Sequence, residues 1–203
     1  MAKIHFEPSD FEFIKDLIGN IKDHRYWLKD SLILNQEENL SLAEMSKSTR
    51  GHLLYRGTRD GFTTHAFHSR CDGKTKTITL IKNDLNYVFG GYASEPWNSS
   101  GEHINDPNAF LFSLRRDGKS FNDKFTIKLG EYALFGSKNH GPTFGGGHDI
   151  YICNHSNTSK GSYTRFGHSY FLPVRYSYAD ARGFLAGNYN EWLASEIEVY
   201  QIQ

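Results

Sequence analysis

Apolar residues in this chain come in short runs cut by turn residues, and that rhythm confines it to many short strands. Thr77-Ile78-Thr79-Leu80-Ile81 alternates polar and apolar, the period of a strand with one buried face. Asn83-Asp84-Leu85-Asn86 turns the chain, and Tyr87 to Tyr92 runs back as the second arm of a hairpin. Just upstream, Leu53 to Arg56 reads as a strand and Arg59-Asp60-Gly61 as a turn, Gly61 supplying the positive φ that a side chain resists. Thr63 is placed to cap a short helix that Asp72-Gly73 ends, with Phe62 and Phe67 at the positions of a hydrophobic staple.

The same grammar continues to the end of the chain. Ala109 to Leu114 is a continuous apolar run, fit for a buried strand. Asp117-Gly118 is a turn, and Phe125 to Lys128 and Tyr132 to Phe135 are further short strands around Gly130. His148 to Cys153 alternates, which predicts Ile150 and Ile152 on one side and Asp149 and Tyr151 on the other. Glu196 to Ile202 is a final strand, with Ile197 and Val199 on one face and Glu196 and Glu198 on the other. Residues 98–107 lack periodicity and read as a surface loop, and residues 154–170, rich in Gly, Ser and Asn, as a mobile one. Short strands with turns between them and few long helices predict two packed antiparallel sheets rather than a parallel sheet with crossover helices.

Two helices are expected before the first strand. Ser9 to Glu12 has capping-box spacing, and Phe11, Ile14, Leu17, Ile18 and Ile21 share a face, so residues 1–30 read as a helical extension that docks on a domain spanning 31–203. Asn35, with Glu38 three residues on, opens a second helix reaching about Ser46, with Leu42 and Met45 on one face.

Several of these blocks, in one order, resemble the TLDc domain family. They are LLYRGTRDGF from Leu53, FH at Phe67, CD at Cys71, TLIK at Thr79, FGGY at Phe89 and Trp97, then Asp106 with Ala109 to Leu114, Gly141 to Ile150, Phe184 to Gly187, and Glu196 to Val199. The resemblance covers roughly Ser31 to Ile202. It implies two packed antiparallel sheets with small helices outside, a mainly β sandwich, which agrees with the strand pattern. It also implies a non-enzymatic intracellular protein linked to protection from oxidative stress and to binding the vacuolar proton-pumping ATPase. Many members carry extra membrane-binding, sugar-binding or GTPase-activating domains.

Charge and composition narrow the alternatives. Lys+Arg and Asp+Glu are both 23, so neither nucleic acid nor an anionic membrane surface is indicated as a partner. Hydrophobic residues make up 38 % of the 203-residue chain, with 15 Phe and 12 Tyr, enough for one full core. No apolar run approaches a membrane span, and the N-terminus lacks the apolar stretch of a secretory signal. With Cys71 and Cys153 the sole cysteines, a reducing, cytoplasmic setting is the simplest expectation, and the three glycosylation sequons read as chance.

Motifs for chemistry are weak. His65, His68 and Cys71 have metal-like spacing but no second pair of ligands, so neither metal nor cofactor is expected. Gly73-Lys74-Thr75 has His68 where a phosphate loop needs glycine. Gly145-Gly146-Gly147 precedes a strand, not the helix of a dinucleotide site; like Gly90-Gly91, it reads as a place of close approach. No Gly-x-Ser-x-Gly elbow is present. Arg59, Asp60, Asp149, Glu196 and Glu198 form the main charged set, on faces expected to point away from the core: either a solvated face with ion pairs or a patch that contacts a partner protein. The rival to an interaction module is an enzyme, either a thiol-based peroxide scavenger or a hydrolase using these carboxylates.

Overall fold

The structure, a computed structural model, describes residues 27–203 apart from 49, 174, 175 and 178–180. The helix expected over residues 1–30 falls almost wholly outside that range. The described strands are β1 (Gly51–Arg56), β2 (Thr77–Asn83), β3 (Val88–Ala93), β4 (Ser100–Ile104), β5 (Phe110–Arg116), β6 (Lys119–Thr126), β7 (Leu134–Ser137), β8 (Thr143–Phe144), β9 (Ile150–Tyr151) and β10 (Ala194–Ile202). The described α-helices are α1 (Gln36–Ser46), α2 (Gly57–Asp60) and α3 (Thr64–Cys71). Six strands form one antiparallel sheet, in the order β1-β10-β2-β3-β5-β6, and four form a second, in the order β4-β7-β8-β9. The expected mainly β, two-sheet architecture is therefore present.

Local chemistry explains the elements. Asn35 and Glu38 close the capping box of α1: the Asn35 side chain accepts from Glu38 N at 2.9 Å, and Glu38 accepts from Asn35 N at 3.0 Å. Thr63 caps α3 by accepting from Ala66 N at 3.1 Å. Asp117 and Gly118 both have positive φ, as a tight hairpin turn between β5 and β6 requires. The turn expected at Arg59-Asp60-Gly61 is one turn of helix, α2, stopped by Gly61 at φ 95°.

Two apolar layers lie on opposite faces of the large sheet. Ile81, Phe89, Leu111, Ile197 and Val199 pack toward the small sheet, meeting Leu134, Phe144 and Ile150. Ile78, Leu80, Val88, Phe112 and Tyr200 pack the other way, under Trp27, Leu28, Ile33 and Leu42. The expectation of one buried face for β2 is thus corrected. Its burial runs through both faces because the segment from Trp27 to α1 forms a third layer over the sheet.

Two loops expected from composition are also corrected. Residues 100–104 form β4, an exposed edge strand held to β7 by backbone pairing, which needs no apolar alternation. Residues 154–170 are packed rather than loose: Phe166 and Tyr170 are buried, and bridges join Tyr151 to Tyr163, Ser162 to Trp192 and Ile127 to Tyr170.

Candidate functional site

The charged set divides into two places. Asp60, Glu196 and Glu198 gather where β1, α2 and β10 meet. Glu198 is fully buried; it accepts from Ser31 Oγ at 2.6 Å, Leu32 N at 2.9 Å, Arg56 Nε at 2.9 Å and Tyr200 OH at 3.2 Å. Glu196 accepts from Thr58 N at 3.0 Å and from the Thr58 hydroxyl. Asp60 accepts from Arg56 N at 2.9 Å and pairs with Arg59 at 2.8 Å, while Arg59 Nη2 donates to Leu54 O at 3.1 Å. Arg59 and Asp60 so occupy backbone groups of edge strand β1, which discourages pairing with another chain. The expected outward face of β10 is corrected: Glu196 and Glu198 are buried, because α2 and the segment around Ser31 lie over them. Arg59 keeps an exposed side chain, at 48 %.

Asp149 stands apart from these residues and is also buried, against the expectation that it faces outward. Its Oδ1 accepts from Gly167 N at 2.7 Å and His168 N at 2.9 Å, and its Oδ2 from Ser169 N at 3.0 Å. Burial pushes its pKa up to about 6, although these three donors pull the other way. Gly145 has φ 86°, and a β-carbon there would overlap the Asp149 carboxylate. The glycine run is thus a place of close approach, as expected. At Gly90, likewise, a β-carbon would overlap the Thr79 carbonyl of the neighbouring strand.

His68, Asp72 and Ser99 lie together but not as a proton relay. Asp72 Oδ1 sits 2.7 Å and Ser99 Oγ 3.1 Å from the same ring nitrogen, Nδ1. Nε2 instead faces the carbonyls of Ser137 and His140, at 2.8 and 2.9 Å. A serine nucleophile needs the ring nitrogen that the carboxylate leaves open, and here that nitrogen is held by backbone. His68 therefore ties α3 to the β7–β8 connection. Burial, first, and the Asp72 charge push the Cys71 thiol far up. Cys153 is buried too, with Sγ 3.4 Å from Ser162 Oγ.

The outer face of the small sheet carries a feature that no sequence motif marks. Along β7, Leu134 points into the core and Phe135 outward; along β9, Ile150 points inward and Tyr151 outward. The outward rings form a connected strip. His103 lies 4.9 Å from Phe135, Phe135 lies 5.4 Å from His140, His140 lies 4.8 Å from Tyr151, and Tyr151 lies 4.8 Å from Tyr163. His148 stacks on Tyr151 at 5.5 Å and is 2.6 Å from the Tyr163 hydroxyl. Tyr132 extends the strip at one end, 5.1 Å from His103, and Arg165 at the other, its guanidinium 4.7 Å from the Tyr163 ring. Burial, with the neighbouring His140, holds the His148 pKa at about 4, and burial lowers that of His140. The sequence signal for the strip was an aromatic or His at outward positions where a solvated strand places charge.

With this geometry in hand, comparison with known proteins defines the class: the TLDc domain profile matches residues 26–203, and the chain belongs to that family. The MTOR-associated protein MEAK7 of Danio rerio is similar to it, 34 % identical over 44 residues, which span 22 % of this chain and 10 % of that protein. Among the described residues, no helix is long and apolar enough to cross a membrane.

Proposed function

We propose that this chain is a cytoplasmic protein-interaction module that docks through the outer face of its small sheet and belongs among the TLDc proteins that bind the vacuolar proton-pumping ATPase and protect against oxidative stress. The observation that carries the interaction reading is the strip from His103 to Tyr163, half-exposed rings on a rigid sheet. Tyr and Phe offer large contact area, and aromatic residues are enriched at protein interfaces. The ATPase and oxidative-stress parts rest on family resemblance.

The test is affinity capture from cell lysate with the full chain, probed for subunits of the pump. Wild type should retain them, and Phe135→Ser with Tyr151→Ser should release them while still melting cooperatively as a folded chain at the temperature of the capture. Absence of pump subunits from the wild-type capture would refute the partner. Undiminished capture by the double variant would move the docking face elsewhere.

A further inference from the structure

We propose that Tyr163 and His148 form a site that quenches small one-electron oxidants, such as the carbonate radical: the Tyr163 phenol gives up an electron while its proton passes to His148 Nδ1. This goes beyond the interaction reading above and does not rest on it.

Backbone pairing builds the site. Tyr151 N donates to Tyr163 O at 3.0 Å, Tyr163 N donates to Tyr151 O at 3.1 Å, and Arg165 N donates to His148 O at 3.2 Å. These bonds hold the His148 ring stacked on Tyr151 and place its Nδ1 2.6 Å from the Tyr163 hydroxyl, within the reach of a general base. Burial, first, keeps the His148 pKa at about 4, so the ring is uncharged at neutral pH. With the ring proton on Nε2, Nδ1 accepts from the hydroxyl. A phenol that has lost an electron is a far stronger acid than an imidazolium, so the proton crosses as the electron leaves. The step balances. The oxidant takes one electron and becomes carbonate, the O–H bond of Tyr163 breaks and an N–H bond forms on His148. What remains is a neutral phenoxyl radical beside an imidazolium.

The rest of the molecule directs oxidation to this pair. Cysteine and tryptophan give up electrons readily, but Cys71, Cys153, Trp27, Trp97 and Trp192 are all buried. Tyrosine is left as the donor that a radical meets in water. Tyr55 and Tyr170 donate to the carbonyls of Gly61 and Ala133, which do not take up a proton. Tyr200 faces the Glu198 carboxylate, but it is buried. Half-exposed Tyr163 combines access with a proton acceptor. Tyr151 lies 4.8 Å from Tyr163 between ring centroids, and its hydroxyl has no hydrogen-bond partner among the described residues. An electron vacancy formed on Tyr151 therefore moves to Tyr163, where the proton has somewhere to go.

The experiment is pulse radiolysis of the full chain in bicarbonate, with the carbonate radical as oxidant. Phenoxyl formation is followed optically, and a nitroso spin trap with peptide mass spectrometry locates the radical. In wild type the trap should be found mainly on Tyr163, ahead of the more exposed Tyr132. Phenoxyl formation should also be slower in heavy water, because the proton moves with the electron. His148→Asn should slow phenoxyl formation at Tyr163 by about tenfold or more. Tyr163→Phe keeps the ring and removes only the hydroxyl, so it remains informative should His148→Asn fold poorly. In that variant the fast phase should be lost and trapping should pass to Tyr151 and Tyr132. Trap distributed by exposure, with Tyr132 ahead of Tyr163, would overturn the proposal. So would an unchanged rate in His148→Asn, a fast phase that survives Tyr163→Phe, or a wild-type rate that heavy water leaves alone.

Discussion

At the scale of single residues, Glu198 shows how a carboxylate that looks solvated in sequence becomes part of the core. It holds Ser31 and Leu32 on one side and Arg56 and Tyr200 on the other, so it ties the outer layer to β1 and β10. Removing one partner of a buried ion pair leaves the other charge uncompensated and costs about 3 kcal/mol or more. Glu198→Ala should therefore lose about that much stability in a urea melt, and a loss below about 1 kcal/mol would mean that water replaces the carboxylate freely. Cys71 presents the opposite case, a group that chemistry cannot reach. Its thiol is fully buried and its pKa raised by burial, so native protein should label with a thiol reagent at Cys71 only as fast as it unfolds. Rapid native labelling at Cys71 would revive the peroxide-scavenger reading.

At the scale of elements, legibility followed local pattern. The capping box of α1, the Thr63 cap, and the strands β2, β3, β5 and β10 were readable because each depends on nearby residues. What was misread depends on chain far away. The covered face of β10 is invisible without knowing that the segment around Ser31 returns over it. Strand β4 is exposed and held by backbone, so its side chains carry no period. The segment around Phe166 looked loose because its glycines and serines outnumber the two rings that anchor it. The ring strip was hidden because its members come from four separate stretches of chain. The glycine run before β9, by contrast, was legible from cost: glycines lose the most entropy on folding, so three together imply geometry that demands them. Gly145→Ala meets both a positive φ and the Asp149 carboxylate, so it should cost on the order of 1 kcal/mol or more in a denaturant melt. A wild-type midpoint would show that the turn relaxes without penalty.

At the scale of the whole molecule, the small sheet links the chain's stability to pH. Unfolded His148 takes a proton near the ordinary value of 6.5, whereas the folded residue resists it down to about 4. Between those values the unfolded state binds more protons, so stability falls as pH falls, and below about 4 the contribution is level. His140, also lowered by burial, acts in the same direction. Asp149 opposes them. Its pKa rises from 3.8 to about 6 on folding, so the folded state holds the proton more readily in that window and stability rises as pH falls through it. Two histidines against one carboxylate predict a net loss from pH 6.5 toward pH 4. His148→Asn isolates the larger shift. Asparagine tolerates the φ of 58° that His148 adopts, so the backbone is kept while the titrating ring is removed. Loss of the bond to the Tyr163 hydroxyl should lower stability uniformly, which leaves the slope as the readout. Urea melts at stepped pH should show a shallower acid limb for His148→Asn than for wild type. An unchanged slope would mean that the ring gains its proton as easily folded as unfolded, and that the strip is open enough to water to carry charge at neutral pH.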